Sequence, residues 1–156
     1  MVADSGLIPR DTTADMDGLQ PRDFSQGVKK STPLRVLVVD DEALIRWSLS
    51  EALGDCGFTV IEAGDAQGAI RTVREQAQRI DVVLLDYRLP DSNDLGLLAS
   101  LRAMTPYSQV ILMTAYGTPE VARGALELGA FRVISKPFEL RDMAGMVLLA
   151  HSQRPS

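Results

Sequence analysis

Four short apolar runs in this chain each stop at a residue of a quite different kind. The run from Leu34 to Val39 stops at Asp40 and Asp41, and the run from Val82 to Leu85 stops at Asp86. The run from Val110 to Met113 stops at Thr114, and the run from Phe131 to Ser135 is followed by Lys136 and Pro137. Short runs rich in β-branched residues and bounded by polar ones read as buried parallel strands. Between them the apolar period changes from strand-like to helix-like, which few folds accommodate.

Strands are predicted over 34–39, 58–62, 81–85, 109–113 and 131–135. Helices are predicted over 43–54, 66–77, 94–104, from Thr118-Pro119 to Gly129, and over 138–150. Ile45, Leu49, Ala52 and Leu53 form the inward stripe of the first helix, which ends near Gly54. Ala69, Ile70, Val73 and Ala77 do so in the second, and Leu97, Leu98 and Leu101 in the third. Thr118 followed by Pro119 is a cap residue with proline at the first helical position. Five βα units in succession predict an α/β domain, a parallel sheet with helices on both faces and right-handed crossovers.

The 156 residues suit one domain. A net charge of −5 disfavours a general nucleic-acid or anionic-membrane binder. No stretch is apolar for long enough to span a membrane, and no secretory signal is legible. The single cysteine, Cys56, lies in a helix-ending turn and reads as a small turn or core residue. A reducing cytoplasm is the expected compartment. Residues 1–33 carry five Asp, four Lys or Arg and one aromatic, Phe24, with no sustained period. Such a segment buries too little apolar surface to offset chain entropy, so a disordered arm is expected there. The folded domain is expected over 34–151, with 152–156 a short tail in which no output module is legible.

Ligands of an open parallel α/β sheet bind at the carboxyl ends of its strands. Asp40, Asp41, Asp86, Thr114 and Lys136 are therefore expected on one edge of one sheet. Asp86 is the expected nucleophile, because a carboxylate can attack phosphorus and form an aspartyl phosphate. Three crowded carboxylates repel one another unless a cation joins them. Oxygen donors without a His or Cys cluster suit Mg²⁺, which keeps several waters and takes one or two carboxylates plus phosphoryl oxygens. The Arg88 backbone carbonyl is the expected further ligand. Lys136 offers a compact positive charge to one phosphoryl oxygen, and Thr114 a hydroxyl donor to another. The isomer of the Lys136–Pro137 bond is left open by the sequence. Singly, each residue has an ordinary use as a turn, cap or surface group. Together, at the ends of four strands, they are poorly explained by coincidence.

The segments 38–42 (VVDDE), 84–90 (LLDYRLP) and 113–117 (MTAYG), with Gly129-Ala130 and Lys136-Pro137-Phe138, resemble the response-regulator receiver domain of two-component signalling. The resemblance runs from about 34 to 151. Ile45-Arg46-Trp47 and the segment 114–118 are similar to receivers of the enhancer-binding, nitrogen-regulator-like subgroup. It implies a flavodoxin-like, doubly wound, five-stranded parallel sheet of order 2-1-3-4-5 with five helices. It implies phosphotransfer to Asp86 from a sensor histidine kinase or a phosphotransfer protein. Asp40 and Asp41 become the acidic Mg²⁺ pair, Thr114 the switch hydroxyl and Lys136 the phosphate partner. The phosphorylation-sensitive face is helix four, strand five and helix five, through which a homodimer can form. No direct nucleic-acid contact is implied for this chain.

Three positions depart from the family pattern. Val133 stands where an aromatic usually precedes the lysine by three residues, Arg132 where Asp is frequent, and Asp94 where the loop usually reaches a glycine. Val133 has no ring to rotate, and β-branching restricts its χ1. Tyr116, on the loop that Thr114 would pull, is read as the substitute reporter. Arg88 and Tyr116, two residues beyond Asp86 and Thr114, are expected to overhang the phosphoryl group and hinder water. Two other readings compete. One is a degenerate receiver acting as a phosphorylation-independent interaction module, which the intact acidic set opposes. The other is a haloacid-dehalogenase-like phosphohydrolase, which needs a second Asp where this chain has Arg88.

Overall fold

The computed structural model describes residues 32–154. The arm expected over 1–33 thus lies outside the described residues except at its last two positions. Five strands and five helices alternate: β1 (Arg35–Val39), α1 (Ala43–Asp55), β2 (Thr59–Ala63), α2 (Ala66–Glu75), β3 (Val82–Asp86), α3 (Gly96–Met104), β4 (Gln109–Thr114), α4 (Pro119–Glu127), β5 (Arg132–Ser135) and α5 (Met143–Ser152). The strands form one sheet of order β2-β1-β3-β4-β5. All four pairings are parallel. The expected flavodoxin-like order is therefore the observed one.

The period of two along each strand divides the core in half. Val36, Val38, Val82, Leu84, Ile111 and Met113 point to one face, where Leu49 and Leu53 of α1 and Met143, Val147 and Ala150 of α5 cover them. Leu37, Val39, Val83, Leu85, Val110 and Leu112 point to the other, under Ala69 of α2, Leu97, Leu98 and Leu101 of α3 and Ala125 of α4. β1, β3 and β4 are almost wholly buried because both faces are covered and both edges paired. Each such Val or Leu contributes about 1.5–3 kcal/mol of burial. The outer strands β2 and β5 are only half-buried, since each has an unpaired edge. A run of apolar letters does not distinguish an edge from a centre.

Several boundaries differ from the expectation. The first helix is closed by Gly57, at φ 94°, rather than by Gly54. The Gly57 amide bonds to the Gly54 carbonyl and the Phe58 amide to the Leu53 carbonyl, which satisfies the last turn. α2 stops at Glu75 because Gln76 turns extended, which leaves Ala77 exposed rather than inward. α3 starts at Gly96, whose amide is bonded by the Asp94 carboxylate at 2.8 Å. α5 starts at Met143, after a 3-10 turn at Leu140–Asp142, and not at 138. Phe138 instead packs onto the α1–α5 side of the core. α4 begins as expected, with the Thr118 hydroxyl accepting from the Val121 amide, and Gly129 ends its exit turn at φ 99°. Among the described residues, no helix is long and apolar enough to cross a membrane.

Candidate functional site

Asp86 and Thr114 are the last paired residues of β3 and β4, while Asp40 and Lys136 sit one step past the last pairings of β1 and β5, and the ladder holds them there. The Asp40 amide donates to the Ala63 carbonyl at 3.1 Å, extending β1–β2. The Tyr87 amide donates to Met113 at 2.8 Å, just beyond Asp86, and the Lys136 amide to Thr114 at 2.9 Å. Since the strands are parallel, all these ends lie on one edge of the sheet. A cleft of about 380 Å³ opens there, lined by Asp41, Glu42, Asp86, Arg88, Thr114, Ala115, Tyr116 and Lys136.

Asp40, Asp41 and Asp86 each bring a carboxylate oxygen within 4.8 Å of the others. Asp40 is fully buried, Asp86 is 6% exposed, and Asp41 faces solvent. The Lys136 ammonium, on a side chain 10% exposed, donates to Asp40 Oδ2 at 2.8 Å and lies 3.3 Å from Asp86 Oδ1. Thr114 is buried beside them, its hydroxyl accepting from the Tyr116 amide at 3.2 Å. Arg88 reaches the cleft wall, next to Asp86 and Tyr116. The Lys136–Pro137 bond is cis.

Burial first, and the neighbouring Asp40 charge second, push the Asp86 carboxyl up to about 6. The Lys136 ammonium and the Arg88 amide pull the other way without cancelling the rise. At neutral pH the carboxylate is ionised and desolvated, which is what a nucleophile requires. Burial alone would depress Lys136, but its bonds to Asp40 and Glu42 and the charges of Asp40 and Asp86 raise it above an ordinary lysine. Lys136 is therefore a fixed cation at any physiological pH.

Some contributors were not singled out in the sequence. Glu42 accepts from Lys136 at 3.2 Å and donates its amide to Asp40 Oδ1 at 2.9 Å. The Arg46 guanidinium donates to the Asp40 carbonyl at 2.6 Å and to Glu62 of β2 at 3.1 Å, and Glu62 also accepts from Ser50. This chain of bonds ties α1 and the edge strand to the loop carrying the acidic pair. The signal available in the sequence was Arg46 lying one turn beyond Glu42. Its partner on β2 is legible only once β1–β2 pairing is known.

An α/β domain with buried carboxylates, a lysine and a hydroxyl at the carboxyl edge of a parallel sheet has donors that could hold a cation and an oxyanion together. A family profile described as the response regulator receiver domain matches residues 36–148. The chain belongs to that family, the receivers of two-component signalling. It is 39% identical over 111 residues, 71% of its own length, to the protein of Mycobacterium tuberculosis called "Probable transcriptional regulatory protein TcrX". That match covers 47% of TcrX, so the chain spans about half the length of this relative. The receiver domain of NtrX from Brucella abortus superposes with a TM-score of 0.68 at 32% identity, over 76% of this chain and 98% of that one. A CheY-like receiver domain protein from Methanospirillum hungatei gives 0.73 at 26% identity, over 78% and 96%.

Proposed function

We propose that this chain accepts a phosphoryl group on Asp86 from a histidine kinase or phosphotransfer protein and changes shape in response. The observation that carries the reading is the placement of three carboxylates within 4.8 Å of one another beside a lysine held 3.3 Å from Asp86. The donor set fits a hard divalent cation, since it is all oxygen and two of its carboxylates are buried next to each other. Asp40, Asp41 and Asp86 would hold Mg²⁺, with the Arg88 backbone carbonyl completing the protein's share. Bound there, the metal supplies charge neutralisation for the carboxylates and the incoming phosphoryl oxygens.

The remaining work belongs to the chain. An Asp86 oxygen attacks phosphorus of the donor phosphohistidine, the P–N bond breaks, and the imidazole leaves with the electron pair. Lys136 gives its positive charge to one phosphoryl oxygen and Thr114 its hydroxyl to another. Drawing Thr114 inward pulls the exposed loop 115–118, a local charge change biasing a mobile element. Tyr116, 75% exposed, serves as the aromatic reporter in place of the ring missing at Val133. Arg88 and Tyr116, on two walls of the cleft, slow hydrolysis by hindering water. The face of α4, β5 and α5 then meets a partner, an output domain or a second copy, in the cytoplasm.

Incubation with acetyl phosphate and Mg²⁺ should add one phosphoryl group by mass, and EDTA should prevent it. Asp86→Asn should abolish the label, because the amide is not a nucleophile. Unchanged labelling of that variant would overturn the assignment.

A further inference from the structure

The loop after Asp86 is held by a contact that neither its own residues nor the acidic pair explain. Leu89 and Ser92 close a tight turn on each other, the Leu89 amide donating to Ser92 at 2.8 Å and the Ser92 amide to Leu89 at 3.2 Å. At the tip of that turn stands Asp91. Its carboxylate reaches across to α2, accepting from the Ala66 amide at 2.8 Å with Oδ1 and from the Gln67 amide at 3.1 Å with Oδ2.

Those amides belong to the first turn of α2, where backbone donors lack helical partners. The helix also has its own cap, since Asp65 Oδ1 accepts from the Gly68 amide at 2.7 Å. α2 is thus capped by two carboxylates, one local and one from a loop 24 residues away. The local one suffices for an ordinary N-terminus. The Ala66 amide foremost, with help from Gln67 and against the opposing effect of burial, lowers the Asp91 carboxyl below an ordinary aspartate, so it stays charged and bonded at neutral pH.

We infer that Asp91 is a positioning residue for the phosphoacceptor, pinning the β3–α3 loop to α2 so that Arg88 presents its backbone to Asp86. The inference rests on the phosphoacceptor reading of Asp86. Only two residues separate Asp91 from Arg88, and the turn that holds Asp91 is closed by its two backbone bonds, so a shift at the tip moves Arg88 as well. Arg88 and Asp86 line the same cleft. The pin also answers the absent glycine at 94. That stretch of the loop is shaped by side-chain oxygens, Asp91 onto α2 and Asp94 onto the Gly96 amide.

Two alanine variants separate positioning from mere helix capping. Asp91→Ala and Asp65→Ala each remove a carboxylate from the same helix end, but only the first frees the loop. Hydrogen exchange of the 87–92 amides, without metal or phosphodonor, should rise at least tenfold in Asp91→Ala and stay within about twofold of wild type in Asp65→Ala. Labelling by acetyl phosphate should slow about 10- to 100-fold in Asp91→Ala, the range expected when a reacting group is misplaced by roughly an ångström. Asp91→Asn, which keeps one acceptor oxygen, should fall between. Unchanged loop exchange in Asp91→Ala, or equal slowing of labelling by Asp65→Ala, would overturn the assignment. Failure of the wild type to label at all would strike at the phosphoacceptor reading instead, and the exchange measurement would still decide whether Asp91 pins the loop.

Discussion

The two sides of the cleft are built differently. On the β1–β3 side, Asp40 is bonded through its amide, its carbonyl and both carboxylate oxygens, to Ala63, Arg46, Glu42 and Lys136. On the β4 side, Thr114 is buried, yet its hydroxyl bonds only to the amide of Tyr116, and residues 115–118 are all exposed. One side is fixed before any ligand arrives, and the other has little to lose by moving. Preorganised charge favours chemistry, whereas a weakly held loop favours switching. The arrangement places the two properties about Asp86 without mixing them.

The largest effect should come from breaking the fixed side. Lys136→Met leaves Asp40, Glu42 and Asp86 without their shared cation, and in metal-free protein near neutral pH this should cost about 3–5 kcal/mol. Thr114→Val, on the other side, should cost no more than about 1 kcal/mol, because the Tyr116 amide can turn to water. Urea unfolding in EDTA measures both. Equal losses would erase the contrast between the two sides.

A second effect, smaller and of opposite sign, concerns pH. The native Asp86 carboxyl titrates at about 6 against 3.8 for the free group. Between those values the native state holds a proton that the unfolded chain has lost. Stability therefore falls as pH rises through that window and stays lowered above it. Asp86→Asn should thus stabilise metal-free protein by up to about 3 kcal/mol above pH 6, and by little below pH 3.8. Mg²⁺ should shrink the difference by stabilising the wild-type carboxylate. A pH-independent gain would show that burial of this charge is not the cause.

The smallest expected change in stability is also the sharpest test of the mobile side. Tyr116→Ala removes an exposed ring and should alter stability by less than about 0.5 kcal/mol. Asp86 labelling should be intact, while phosphorylation-dependent partner or dimer affinity should disappear. A variant that still switches would shift the coupling to a movement of α4.

Most of the fold was legible because it rests on local periodicity. The alternation of runs marked five strands and five helices, and the residues closing the runs are the ones that meet at the carboxyl edge of the sheet. Ala77 was read as inward because a helical stripe carries no mark of where the helix stops, and Gln76 stops it. The late start of α5 was hidden for a related reason, since Phe138 satisfies the apolar pattern while lying outside the helix. The supports of the site were hidden more deeply. Arg46 meets Glu62, and Asp91 meets Ala66 and Gln67, across strands and loops that only the folded sheet brings together. An aspartate among turn residues reads as a turn former, and nothing local says that its carboxylate is engaged elsewhere.

Lys136 and Asp40 are 96 residues apart in the chain. A polypeptide leaving the ribosome in order presents its acidic pair early, Asp86 midway and its lysine almost at the close of the domain. Every nascent chain that ends between Asp86 and Lys136 carries the three carboxylates without the cation that offsets them. The Lys136 contacts to Asp40 and Asp86 can therefore form only after β5, the last strand in the chain, has been made.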